Sequence, residues 1–125
     1  MKLLAVKTDQ PMAELWLYEN DAELAHLKWA AHLKLAESLH RQITKILNKS
    51  SITLNELDGI VCFQGPGSFT GLRIGLSIAN ALAFANHIPI VATAGLNWQK
   101  NGIEKLLAGH SDEIVRPAYQ KSDKI

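Results

Sequence analysis

Apolar positions follow two different rhythms along this chain. Over the first thirty residues they come in short runs. Leu3–Val6 is fit for a buried strand. Gln10-Pro11 marks a turn, Ala13–Tyr18 is rich in aromatic and apolar residues, and Glu19-Asn20-Asp21 is a second turn signal. Leu24, Leu27 and Trp29 continue as a third strand with an irregular alternation. Three strands joined by short turns predict an antiparallel meander.

The period then changes. Leu35, Leu39, Ile43, Ile46 and Leu47 recur three or four apart, with Lys34, Glu37, Arg41 and Lys45 between them. This is an amphipathic helix, ending near Asn48–Ser51. Thr53-Leu54-Asn55-Glu56 has the capping-box spacing and predicts a short helical turn. Gly59–Phe63 reads as a buried strand. Leu72–Phe84 is a helix apolar on most sides, which needs more than one neighbour to cover it. Pro89 disfavours helix in the residue before it, and Ile88–Ala92 reads as another buried strand. Thr93 is placed to cap a last helix running through Trp98 and Leu107, weakened by Gly102 and broken at Gly109–Asp112. This order predicts an α/β fold: a mixed sheet of about five strands with helices packed on it.

Composition narrows the function classes. A chain of 125 residues points to one domain, with enough length for a real core. Thirteen Lys and Arg face twelve Asp and Glu, which leaves no overall footprint for nucleic acid or an anionic membrane. Cys62 is the single cysteine and lies in an apolar run, so it reads as a buried structural thiol in a reducing compartment. No signal peptide and no bilayer-length apolar run is visible, so an intracellular, cytoplasmic protein is expected. His26, His32, His40, His87 and His110 are scattered without metal-ligand spacing, and no metal site is expected. Ser68 has no sequence-adjacent base and reads as a helix cap. Trp16, Trp29 and Trp98 read as core or interface anchors.

The informative motif is Gly65-Pro66-Gly67-Ser68-Phe69-Thr70-Gly71-Leu72-Arg73-Ile74-Gly75, between a predicted strand and a predicted helix. Gly65 and Gly67 permit positive φ and close approach, and Pro66 stiffens the turn. Gly71 and Gly75 are four apart, so another helix could come close to that face. The Walker A pattern is absent, because Leu72-Arg73 follow where Lys-Ser or Lys-Thr is required. The dinucleotide fingerprint is absent too, because three residues separate Gly67 from Gly71. Two readings stay open: a structural turn with helix packing, or ligand contact at a helix N-terminus, where Arg73 could meet a phosphate.

The run Gly65–Gly75 resembles the signature of the TsaB family, also called YeaZ, of bacterial proteins for threonylcarbamoyladenosine formation in tRNA. Asn55-Glu56-Leu57-Asp58, the small-residue helix Leu76–Ala85 and Ile88-Pro89 are similar as well. His32 matches a family histidine usually followed by Ser, where this chain has Leu33. The resemblance spans roughly Met1 to Trp98. It implies one lobe of the actin-like, RNase H-like ATPase fold, and a non-catalytic paralogue that binds the catalytic subunit TsaD and supports the ATPase TsaE. Two apolar helices, Leu35–Leu47 and Leu72–Phe84, with limited sheet to cover both predict a homodimer in isolation. The even charge balance predicts contact with tRNA only through the partner, and neither a cofactor nor a membrane is expected. Interface residues implied by the motif are Gly65 through Gly75 with Ile78 and Leu82; His32, Leu35, Leu39 and Ile43 are candidates on the first helix.

Two departures from the family stand out. Its first strand usually ends Asp-Thr-Ser, where this chain has Lys7-Thr8-Asp9. An ammonium group cannot hold Mg²⁺, and Asp9 is displaced by two residues. Most members also carry a second lobe. Residues 1–109 therefore read as the lobe, and 110–125 as a tail left from a reduced second lobe, with Arg116-Pro117-Ala118-Tyr119 resembling the family's terminal Pro-x-Tyr. The competing expectation is a minimal nucleotide-binding ATPase or transferase that uses Gly65–Gly75 for phosphate and Asp9 for metal.

Overall fold

A computed structural model describes residues 1–31, 34–67 and 69–118, and for Phe69 the backbone only. The candidates His32 and Ser68, and the similarity at Tyr119, lie outside the described residues. Strands β1 (Lys2–Lys7), β2 (Met12–Glu19) and β3 (Ala22–Ala30) form the meander. Helix α1 (Leu35–Lys49), a 3₁₀ turn at Leu54–Glu56, strand β4 (Gly59–Phe63), helix α2 (Phe69–Asn86), strand β5 (Ile90–Thr93) and helix α3 (Trp98–Leu107) follow. The sheet order is β3-β2-β1-β4-β5. β1 pairs antiparallel with β2 and parallel with β4, and β5 adds parallel to β4.

The predicted strands form because their side chains meet a helical layer on one or both faces. Leu4, Val6, Ile60 and Cys62 point into the cluster under α1 and α2, while Leu3, Ala5 and Val61 join Trp98, Ile103 and Leu106 under α3. Central strands covered on both faces read as continuous apolar runs. β3 lies at the sheet edge and alternates exposed and half-buried positions from Leu24 to Ala30, which explains its weaker sequence pattern. The capping-box expectation holds: the Thr53 N–H donates to Glu56 Oε1 at 2.9 Å.

Element boundaries differ from the sequence reading at α2 and at β5–α3. α2 starts at Phe69, so Phe69, Thr70 and Gly71 are helical and belong to no loop. Thr93 is the last residue of β5, and its hydroxyl donates to the Trp98 carbonyl at 2.5 Å; Asn97 precedes α3 as its N-cap. Gly102, which weakens α3 by propensity, is where that helix meets the sheet, since a Cβ there would overlap Val61 Cγ1. Residues 110–118 pack on the lobe. The Ser111 hydroxyl and the Asp112 carboxylate accept from the Ile90 and Ala92 N–H groups, satisfying the open edge of β5. Val115 is buried, and its N–H and C=O both pair with the Asn80 side chain of α2.

Cys62 is fully buried, and burial, reinforced by the Asp112 charge, pushes its thiol pKa up. Below about pH 8.5 the thiol is protonated in both states and stability is unaffected. Above that value the unfolded chain releases the proton and the folded chain keeps it, so stability falls as pH rises, by about 1.4 kcal/mol per pH unit. The melting temperature is expected to drop between about pH 8.5 and 10, with Cys62→Ala flattening that part of the profile. An equally steep profile in Cys62→Ala would contradict this.

Candidate functional site

Two regions concentrate the motif residues. The first lies where β1 and β4 end and α2 begins, at the carboxyl ends of the parallel strands, where open α/β sheets place their ligands. Gly65 adopts φ +107°, a conformation that favours glycine and turns the chain out of β4. Gly67 backs onto β1's continuation, since a Cβ there would lie 2.5 Å from Asp9 Cβ. The Thr8 hydroxyl donates to the Gly71 carbonyl at 2.9 Å. A Cβ on Gly75 would overlap Thr8 Oγ1. The close approach permitted by Gly67 and Gly75 is therefore used by the residues of this chain that directly follow β1. That corrects the expectation that Gly75 admits a partner helix.

Within this corner Lys7 Nζ lies 2.6 Å from Asp9 Oδ1, and the same ammonium sits 4.9 Å from the centroid of the Phe63 ring. Asp9 is buried, with Lys7 as its close cationic partner and Gln10 Nε2 at 3.4 Å. The carboxylate proposed for metal in the competing reading thus holds a lysine, and among the described residues no group of three His, Cys, Asp or Glu is placed to share an ion. The corner is built as an internal clasp joining β1 to α2.

The second region is the outer face of α1 and α2. Leu35, Leu39 and Ile43, interface candidates by sequence, are buried in this chain's own core, as is Leu72. They were legible as the apolar face of a helix; the sheet beneath covers them. What remains outward is an open groove lined by Ala36 of α1 and Thr70, Arg73, Ile74, Ser77 and Ile78 of α2. Ile74, Ile78 and Leu82 are half-buried, while Ser77 and Ala81 are exposed. Phe84, one turn further along α2, is 83% exposed. The helix apolar nearly all round therefore has one face on the sheet, a flank against Leu39 and Ile43 of α1, and its outer face open. No helix among the described residues is long and apolar enough to cross a membrane.

The Asn80–Val115 pairing and the Thr8–Gly71 clasp carry no sequence signal, because their partners are 35 and 63 residues apart.

Comparison with known proteins places this geometry in a family. Residues 30–99 match the family described as TsaD, tRNA N6-adenosine threonylcarbamoyltransferase. The chain is 30% identical over 98% of its length to the tRNA threonylcarbamoyladenosine biosynthesis protein TsaB of Escherichia coli K12, covering 57% of that protein. It superimposes on YeaZ from Pseudomonas aeruginosa with a TM-score of 0.70 at 26% identity, covering 81% of this chain and 50% of the other. RuvC from Thermus thermophilus, in complex with a Holliday junction substrate, aligns with a TM-score of 0.58 at 10% identity over 94% of this chain and 84% of RuvC. That likeness speaks for the RNase H-like fold alone. The chain spans about half the length of the TsaB and YeaZ relatives.

Proposed function

We propose, from the premise that this chain belongs to the TsaD family and to its TsaB (YeaZ) branch, that it serves threonylcarbamoyladenosine formation in tRNA as a non-catalytic docking subunit. Its partner in this reading is a TsaD-type transferase, with a TsaE-type ATPase joining the complex and tRNA reached through the partner, in the cytoplasm. A homodimer in isolation uses the same surface more weakly. The observation that carries the reading is the open α1–α2 groove, an apolar strip on a helix whose other face is fully used. Exposed apolar patches of this kind mark interaction sites.

The Lys7–Asp9 pair supports the non-catalytic part. A lysine stands at the end of β1, and the one nearby buried carboxylate is already held by it. Neither group is available to bring Mg²⁺ and phosphate together.

Isothermal titration of the full chain tests both parts. Titration with a TsaD-type transferase is expected to give a complex with Kd near 1 μM or below, about −8 kcal/mol. Mg–ATP alone is expected to give no heat and no turnover. Binding and hydrolysis of Mg–ATP, with silence toward the transferase, would overturn the reading in favour of a minimal ATPase.

A further inference from the structure

The two edges of the sheet differ. The outer edge of β5 is taken by Ser111 and Asp112, whereas nothing among the described residues pairs with the outer edge of β3. β3 is nine residues long, and its register with β2 is regular over residues 25–30. A long regular edge is a template for another strand. Helix α1 packs across β2 and β3, and the Trp29 indole donates to the Ser38 hydroxyl at 3.0 Å. Lys34, Arg41, Lys45 and Lys49 stand four before and three, seven and eleven after Ser38. They therefore share its stripe, on the flank of α1 that lies over β3. All four are exposed, and none makes an ion pair among the described residues.

We infer that β3 is a docking edge for an extended segment of a partner protein that carries acidic side chains at alternate positions. Such a segment adds as a further strand and takes its main-chain bonds from β3. Alternate side chains of a strand share one face and repeat about every 6.6 Å. Arg41, Lys45 and Lys49 are spaced four residues apart, a rise of about 6 Å at each step along the helix. One acid per cation is therefore matched in spacing on the α1 side. On the other face of the edge Glu23 and Lys28 are both exposed and of opposite sign, so neither charge is selected there. A second copy is disfavoured, because pairing β3 with its twin across a two-fold axis sets one cationic flank against the other. A nucleic acid meets the cations but makes no use of an open β edge. This edge is separate from the α1–α2 groove, so the inference does not depend on what docks there.

The probe is a peptide of about nine residues alternating Glu and Thr, blocked at both ends and titrated into the full chain at roughly 50 mM salt. Binding is expected, with slower hydrogen exchange at β3 amides. The chain carrying Arg41→Glu and Lys45→Glu is expected to bind about tenfold more weakly, with the gap closing near ~500 mM salt as charges are screened. Both positions are exposed on α1, so the fold is expected to be kept. The pair Arg41→Gln and Lys45→Gln is expected to fall between, and serves if the reversal impairs folding. A Lys–Thr peptide is expected not to bind. Neither is the Glu–Thr peptide with its backbone N-methylated, which keeps every carboxylate and loses its ladder donors. No binding of the Glu–Thr peptide would overturn the inference, as would equal binding of either control peptide, equal affinity of the charge-reversed chain, or exchange protection that leaves β3 out. An oligouridine bound more tightly than the peptide, and lost on charge reversal, would overturn it in favour of a nucleic-acid face. A dimer that the peptide dissolves in sedimentation would give the edge to a second copy instead.

Discussion

Replacing Gly75 with alanine is expected to destabilise the fold by about 3 kcal/mol, and to leave the partner affinity of the remaining folded molecules unchanged. The added Cβ would overlap Thr8 Oγ1 and lie 2.8 Å from Thr8 Cγ2 and 2.9 Å from Thr8 Cβ. Those atoms belong to the residue that directly follows β1, the strand at the centre of the sheet. Neither the strand nor a helix of eighteen residues can shift without disturbing the core between them. Overpacking of this kind typically costs about 1–3 kcal/mol. Displacing Thr8 also weakens its 2.9 Å bond to the Gly71 carbonyl, a further contribution of about 1 kcal/mol. Together these correspond to a fall in Tm of roughly 10 °C for a domain of this size. Thermal melts with circular dichroism read the effect directly. In a Thr8→Ala background the Gly75→Ala penalty is expected to shrink, because two of the three overlapping atoms are gone. Equal penalties in both backgrounds would contradict the clasp.

Ser77→Trp is expected to do the opposite: weaken partner binding by tenfold or more while leaving Tm close to that of the unaltered chain. Ser77 is exposed on α2 in the middle of the groove, flanked by Ile74 and Ile78. Serine and tryptophan have similar helix propensities, so the helix itself is little affected. Exposed substitutions away from special features usually change stability by about 0.5 kcal/mol or less. An indole there fills the groove that a docking helix would enter, where helix axes normally lie about 8–10 Å apart. A tenfold loss is about 1.4 kcal/mol, a modest demand for a blocked packing surface.

The contrast between these two sites shows what the sequence could reveal. Periodicity places Leu35, Leu39 and Ile43 on one face of α1 and marks α2 as apolar nearly all round. It cannot say which apolar face the sheet takes. The structure shows that Leu76, Ala79 and Ala83 of α2 join the core under the sheet, that Ile78 and Leu82 pack partly against the same core beside Leu39 and Ile43 of α1, and that Ile74 and Ile78 also line the open groove. The glycine run was legible as a motif, and the turn at Gly65 follows from its chemistry. The role of Gly75 was not, because its neighbour Thr8 is remote in sequence and becomes a contact only when β1 enters the sheet. The same holds for Lys7 and Asp9. Their types argue against a metal site, but the 2.6 Å pair that joins them depends on the chain bending after β1. The segment 110–118 gave no regular pattern because its hydrogen bonds go to the edge of β5, to Asn80 and to Gln64. It therefore has no need of a period of its own.

The central claim is that the open face of α1 and α2 docks a TsaD-type transferase. The measurement that tests it most directly is isothermal titration of that transferase with the unaltered chain and with Ser77→Trp, alongside the melting temperature of each. The account predicts a complex in the micromolar range or tighter for the unaltered chain, a loss of at least tenfold for Ser77→Trp, and matching melting temperatures. Equal affinities for the two chains, both folded, would contradict it.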